Sequence, residues 1–179
     1  MEAIITTERL VLRKMNHQDV DDLFEMDADP AVHLYLWNKP VKSKEEVVAV
    51  VNMINQQYID NGIGRWAVID KATHECIGWA GLKLIKEPVN GHVNYYDLGY
   101  RFKQKHWGKG YASEAARAVI AYGFEELGLD LMYAITDIGN ANSQKVLEKM
   151  GFTFKTVFDY DGDPTNWFEL TKAAWEERS

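Results

Sequence analysis

The segment Lys105-His106-Trp107-Gly108-Lys109-Gly110-Tyr111-Ala112 sets two glycines among the lysines Lys103, Lys105 and Lys109. It falls between an apolar strand-like stretch and a run with helical spacing, which predicts a strand-to-helix turn. At a helix start several backbone N–H groups lack intrahelical partners and carry partial positive charge. Glycines there permit positive φ and remove the side chains that would hold an anion away from those amides. The chemistry on offer is phosphate binding by backbone, with mobile cationic side chains beside it. A Gly-x-Gly alone also shapes many tight turns that bind nothing. Two nucleotide motifs are excluded: no third glycine completes a dinucleotide fingerprint, and no Gly-Lys-Ser/Thr stands at P-loop spacing.

A second cluster, Asn140-Ala141-Asn142-Ser143, follows the next apolar stretch and opens the next helical run. Asn140 suits an N-cap. Ser143 shares one face with Val146, Leu147 and Met150, so it begins the inward stripe. Taken alone it is also a first-turn serine able to bond the backbone. The two clusters lie at the carboxyl ends of two strands that can be neighbours, where open α/β sheets place their ligands.

The elements that must position these residues follow from period and punctuation. Residues 9–13 alternate as a strand, and Asn16 with Asp19 opens a short helix with Val20, Leu23 and Phe24 inward. Ser43 and Glu46 form a capping box for a helix carrying Val47, Val51, Ile54 and Tyr58, stopped at Asn61-Gly62. Strands are expected over 65–70 and 76–85 as a hairpin, then 93–102. A helix over 108–127, a strand over 131–137 and a helix over 140–150 follow, and strands over 152–160 and 166–170 close the chain. This order predicts a mixed α/β (α+β) sheet in which the strands flanking the Gly108 helix run parallel. With no repeat or linker composition, residues 1–179 are expected to form one domain.

Composition narrows the function classes. The hydrophobic share of 46% and charged share of 26% are those of a soluble globular protein, with no apolar run long enough for a membrane helix. No secretory signal is evident at Met1 to Ile5. The single cysteine, Cys76, rules out an internal disulfide and suits the reducing cytoplasm. The histidines stand apart, so no metal site is expected. A formal net charge of -7 argues against nucleic acid as a partner and favours cationic substrates, amines included. A homodimer is the assembly to expect first. The acidic run Asp159 to Asp163 has its glycine misplaced for a calcium loop and reads as a hairpin turn.

In order and spacing these motifs resemble the GNAT superfamily of N-acetyltransferases, most closely the branch acetylating the N-termini of ribosomal proteins and related amines. The resemblance spans nearly the whole chain. It runs from Thr7-Glu8-Arg9-Leu10-Val11-Leu12-Arg13 through Leu98-Gly99-Tyr100 and Trp107 to Ala115, then Asn140 to Ser143, Val146 to Phe152 and Phe168-Glu169-Leu170-Thr171. It implies a mostly antiparallel sheet flanked by helices, with two central parallel strands splayed around acetyl-CoA. The pantetheine arm would pair with the backbone of Tyr100, Arg101 and Phe102. Lys105, Trp107, Gly108, Lys109, Gly110, Tyr111 and Ala112 would hold the pyrophosphate, with Asn140 and Ser143 reaching the far end. Where the family often has Gln or Arg, this chain has Lys105, which keeps charge but loses a planar multi-donor group. The implied reaction is direct attack by a primary amine, from a small molecule or a peptide N-terminus. Ser143 would protonate the departing thiolate, with Tyr133 the alternative acid. An alkyl amine has a pKa of about 10.4 and so needs a base, for which Asp97 is the candidate. Trp37, Trp79 and Trp167 are candidates for lining the acceptor pocket, and packing is the ordinary use of such residues. A non-catalytic acyl-CoA-binding domain is the second reading of the same motifs.

Overall fold

Alternating and near-continuous apolar stretches pair into one sheet in the computed structural model, which describes residues 2–178. Its strands are β1 (Ala3–Thr6), β2 (Leu10–Lys14), β3 (Arg65–Asp70), β4 (Cys76–Ile85), β5 (Tyr95–Phe102), β6 (Leu131–Asp137), β7 (Thr153–Tyr160) and β8 (Asp163–Thr171). They are ordered β1-β2-β3-β4-β5-β6-β8-β7. The helices are α1 (Val20–Asp27), α2 (Lys44–Asn61), α3 (Tyr111–Glu125), α4 (Ala141–Met150) and α5 (Lys172–Glu177). Every strand pair is antiparallel except β5 with β6, which α3 joins by a crossover. That parallel pair touches at one register point, Asp97 opposite Tyr133, while β6 spends its full length on β8. Beyond that point the two strands fork.

Strand alternation sends successive side chains of β5 to opposite faces. Tyr100 bonds to α4 and Arg101 to α1, so α1 and α4 lie on opposite sides of the sheet. Under α3 the stripe Ala115, Ala116 and Val119 is fully buried, and the helix runs so close that a Cβ on Gly123 would meet Met132 Cε at 2.1 Å. The capping box of α2 forms as expected, with Ser43 N–H donating to Glu46 at 2.9 Å and Gly62 ending the helix at φ 71°.

Several expectations are corrected. In α1, Val20 and Leu23 are buried as expected, Phe24 is partly buried against the core, and Met26 joins the buried stripe. The helix expected from Gly108 starts at Tyr111, since Gly108 and Gly110 take φ 73° and 83°, outside the right-handed helical region. The fifth strand starts at Tyr95 instead of 93, and β8 begins at Asp163 instead of 166. Strand β1 and helix α5, only four and six residues long, had no periodic signal to announce them.

Lys103 overturns a further expectation. It is 2% exposed, not mobile, and its Nζ donates to Asp22 at 2.8 Å, Glu25 at 2.7 Å and Glu75 at 2.7 Å. Carboxylate oxygens of these three residues lie within 4.8 Å of one another, and the ammonium is the cation they share. The end of β5 is thereby tied to α1 and to the β3–β4 turn. Burial alone would raise the Glu75 carboxyl; Lys103 and Lys105 hold it down to about 2 from 4.5. A depressed carboxylate contributes stability that is present above its unfolded value and lost as pH falls through its folded one. Lys103→Met is expected to cost about 3 kcal/mol at neutral pH by stranding the carboxylates. Urea titrations should show that deficit shrinking as pH falls from about 4.5 toward 2, where the wild type loses the same interaction.

Candidate active site

The phosphate loop is built where β5 ends. A 3-10 turn over Gln104–His106 leads to Trp107, whose indole Nε1 donates back to the Phe102 carbonyl at 2.8 Å. Gly110 then serves as N-cap of α3 in the left-handed region. None of the amides of Gly108, Lys109 and Gly110 donates to a backbone carbonyl, and the first helical turn adds its own unpaired donors. A Cβ built on Gly108 would meet no atom within 4 Å. The loop therefore borders open space at Gly108, while a Cβ on Gly110 would meet Arg9 Nη2 at 3.4 Å. Lys105 is paired with Glu75 at 2.8 Å and Glu25 at 3.2 Å, whereas Lys109 has no ion pair among the described residues.

The loop is braced from the far end of the chain, which the spacing of motifs did not reveal. Arg9 Nη1 donates to the Lys109 carbonyl at 2.8 Å, and its Nε to Glu114 at 2.7 Å. Glu114, in the first turn of α3, also accepts from the Arg9 amide at 2.9 Å and the Thr7 hydroxyl at 2.7 Å. The guanidinium lies 4.2 Å from the Tyr111 ring centre. Burial pushes the Glu114 carboxyl up, but the bonds from Thr7 and Arg9 win and its pKa is lowered. Thr7, Arg9 and Glu114 all stand in recognisable motifs; that they meet is a tertiary fact.

At the fork, Asn140 accepts from the Ser143 amide at 3.2 Å, an ordinary N-cap bond. The Ser143 hydroxyl lies 3.0 Å from the Tyr100 hydroxyl, which also reaches the Ser143 carbonyl at 3.3 Å. Burial drives Tyr100 up to about 12, opposed by its bond to Ser143. This hydroxyl pair joins β5 to α4 and brings together two residues expected in the site. Ala112 and Tyr111 stand in the opening turn of α3, partly buried. Tyr133 is not near this pair: it packs 5.1 Å from Tyr95 and 4.9 Å from Trp167 in an aromatic cluster. Trp167, 1% exposed, is likewise packing.

The opposite face carries Asp97, at the single point where β5 and β6 touch. Burial raises its carboxyl to about 7, against the pull of nearby Arg65 and Lys83, and no hydrogen bond or ion pair engages its side chain among the described residues. A cavity of about 240 Å³ lies on the same face. Its polar end is formed by Asp27, His33, Arg65, Trp79 and Arg101, and α2 supplies its apolar end with Val47, Val50, Met53 and Ile54. Arg101 donates to Asp27 at 2.8 Å, so its side chain serves this face while its backbone borders the fork. Of the candidate tryptophans, Trp79 reaches the cavity and exposed Trp37 sits 5.8 Å from Tyr160 beside the β7–β8 turn. Cys76 is buried and its thiol is pushed up to about 12, which leaves no reactive thiolate.

The sheet forks between two parallel strands, and a glycine turn leading into α3 stands at the lip of that fork. Known proteins share this fold. The family model of the acetyltransferase (GNAT) domain matches residues 9–153. The chain is 36% identical over 152 residues to the uncharacterized N-acetyltransferase p20 of Bacillus licheniformis, covering 85% of this chain and 83% of that one. It is 30% identical to the FsC-acetyl coenzyme A-N(2)-transacetylase of Aspergillus fumigatus, over 97% of this chain and 78% of that one. A GNAT-family acetyltransferase from Bacillus anthracis superposes with a TM-score of 0.78 at 26% identity, covering 94% and 98% of the two chains. The chain belongs to the GNAT family. It is an acetyl-CoA-dependent N-acyltransferase that delivers an acetyl group to an amine. Among the described residues no helix is long and apolar enough to cross a membrane.

Two substitutions read the loop. Gly108→Glu sets a carboxylate in the open space and is expected to abolish CoA binding. Arg9→Ala frees the Lys109 carbonyl and is expected to weaken CoA about tenfold, or roughly 1.4 kcal/mol. Calorimetric titration with CoA checks both, and unchanged affinity in the first places the pyrophosphate elsewhere.

Proposed function

We propose that the amides from Gly108 to Ala112, framed by Lys105, Trp107 and Lys109, hold the cofactor pyrophosphate at the head of α3. The observation that carries this reading is the row of amides at Gly108, Lys109 and Gly110 with no backbone partner among the described residues, in a loop that borders open space at Gly108. Such a helix mouth favours anions by geometry and by dipole. The edge of β5 over Tyr100, Arg101 and Phe102, free of β6 beyond Asp97, supplies backbone donors and acceptors for an extended arm. Asn140 fixes the first turn of α4 and so aims Ser143.

Acetyl-CoA brings an activated thioester, so no side-chain nucleophile is required. The nitrogen of a primary amine, on a small molecule or a peptide N-terminus, forms the new bond to the acyl carbon as the carbon–sulfur bond breaks. Asp97 takes the proton the amine loses, directly or through water. Ser143 gives a proton to the departing sulfur and regains one through the Tyr100 hydroxyl. Support for Asp97 comes from its environment: burial with no bonded partner holds its carboxyl near 7, well matched to a base working near neutrality.

The sign of the pH dependence follows. Below about 7 Asp97 is protonated and cannot accept, so the wild-type rate falls as pH drops through that value. Asp97→Asn is expected to remove this limb and to lower the rate by roughly 10²- to 10⁴-fold between pH 7 and the amine's own pKa. A pH–rate profile that is the same in both proteins would remove Asp97 from the mechanism. Ser143→Ala is expected to lower kcat with CoA affinity nearly unchanged, read by thiol release beside calorimetry; retained turnover would reduce Ser143 to a structural bridge.

A further inference from the structure

The cleft on the Asp97 face carries a charge pattern opposite to that of the whole chain, whose formal net charge is -7. Register places its groups in rows. Arg65 stands opposite Gly81, and Gly81 opposite Gly99, where the Trp79 ring comes within 3.1 Å of the place a Cβ would occupy. Trp79 has Arg101 as its cross-strand neighbour, and Lys83 has Asp97. Arg101 is neutralised by Asp27 at 2.8 Å, and Asp27 also meets His33 at 3.3 Å. Arg65 and Lys83 remain against the single carboxylate of Asp97, and neither is in ion-pair contact or side-chain hydrogen bonding with any described residue. Glu87 acts on Lys83 from an exposed loop, and besides Asp97 the groups acting on Arg65 are Arg101, Asp27 and the Tyr160 hydroxyl of the β7–β8 hairpin.

Arg65 is the more telling of the two. Its guanidinium stacks 4.6 Å from the centre of the Trp79 ring, which orients its plane without using its N–H donors. A guanidinium stays charged in proteins and offers its donors as a fork that fits a carboxylate. Burial disfavours that charge here, and the carboxylates of Asp97 and Asp27 act on it without ion-pair contact among the described residues. Next to it the cavity of about 240 Å³ passes from this polar end to the apolar side chains of α2.

We propose that the acceptor is a small amine that itself bears a carboxylate, an amino-acid-like molecule with an apolar side chain, and that Arg65 binds that carboxylate. The amine then lies toward Asp97, and the side chain enters the cavity between Val47, Val50, Met53 and Ile54. This rests on the reading of Asp97 as the base. The cleft makes polyamines poor acceptors, because a second cation would face Arg65 and Lys83.

The test separates the carboxylate site from the chemistry. The CoA complex is titrated calorimetrically with leucine, methionine and phenylalanine, each against its amide and its decarboxylated amine. The same compounds and spermidine are then offered with acetyl-CoA in a thiol-release assay. At least one acid is expected to bind roughly 10- to 100-fold more tightly than its amide and amine, the range of a charged hydrogen-bonded pair. Arg65→Met should collapse that ratio and Arg65→Lys should keep part of it, with CoA affinity reporting that both variants are folded. Acids and amides binding alike, no acid binding, spermidine turning over best, or a ratio unchanged in Arg65→Met would each overturn the proposal. Preferential binding of an acid without thiol release would leave the carboxylate site standing and sink the catalytic roles given to Asp97 and Ser143.

Discussion

The parallel contact between β5 and β6 governs the rest of the molecule. Buried backbone groups must find partners, and in most sheets neighbouring strands supply them along their whole length. Here β6 is matched residue for residue to β8 and meets β5 only at Asp97 and Tyr133. One edge of β5 is left with hydrogen-bonding capacity and no strand to take it. Everything that the enzyme needs is arranged about that opening: the loop at its lip, the Ser143–Tyr100 bridge on one side and the Asp97 cleft on the other.

Strand alternation then divides the chemistry. Tyr100 and Arg101 are neighbours in sequence yet serve opposite faces, one bonded to α4 and the other to α1. The same rule puts Asp97 on the face of Arg101. Ser143, bonded to Tyr100, and Asp97 thus stand on opposite sides of one strand. On the proposed reading the acetyl donor and the amine approach the fork from different faces. Rigid charge clusters hold this geometry from outside the site. Lys103 gathers three carboxylates beneath the end of β5, and Arg9 with Glu114 clamps the loop to α3.

Much of this was legible from local pattern. The bounds of α2, β3, β4 and β6 follow from period and caps, because Ser43, Glu46, Asn61 and Gly62 act on their own neighbours. The strand-to-helix turn was legible for the same reason: the backbone freedom of Gly108 and Gly110 is a local property. Lys103 was misread because a burial among three acidic groups is decided by distant segments. Val93 and Asn166 were misplaced strand starts, since strand ends depend on the partner strand more than on the strand itself.

What the amino-acid order determined by itself was the set of elements, the glycine turn and the family, all carried by interactions a few residues long or by ordered motifs. What only the tertiary structure decided was the company each charge keeps. Arg9 reaches Glu114, Lys103 loses its mobility, and Arg65 stands without an ion pair, among the described residues, near a half-buried Asp97. The reason is physical: the cost of a charge depends on its burial and on partners brought from elsewhere in the chain, neither of which is a property of local sequence.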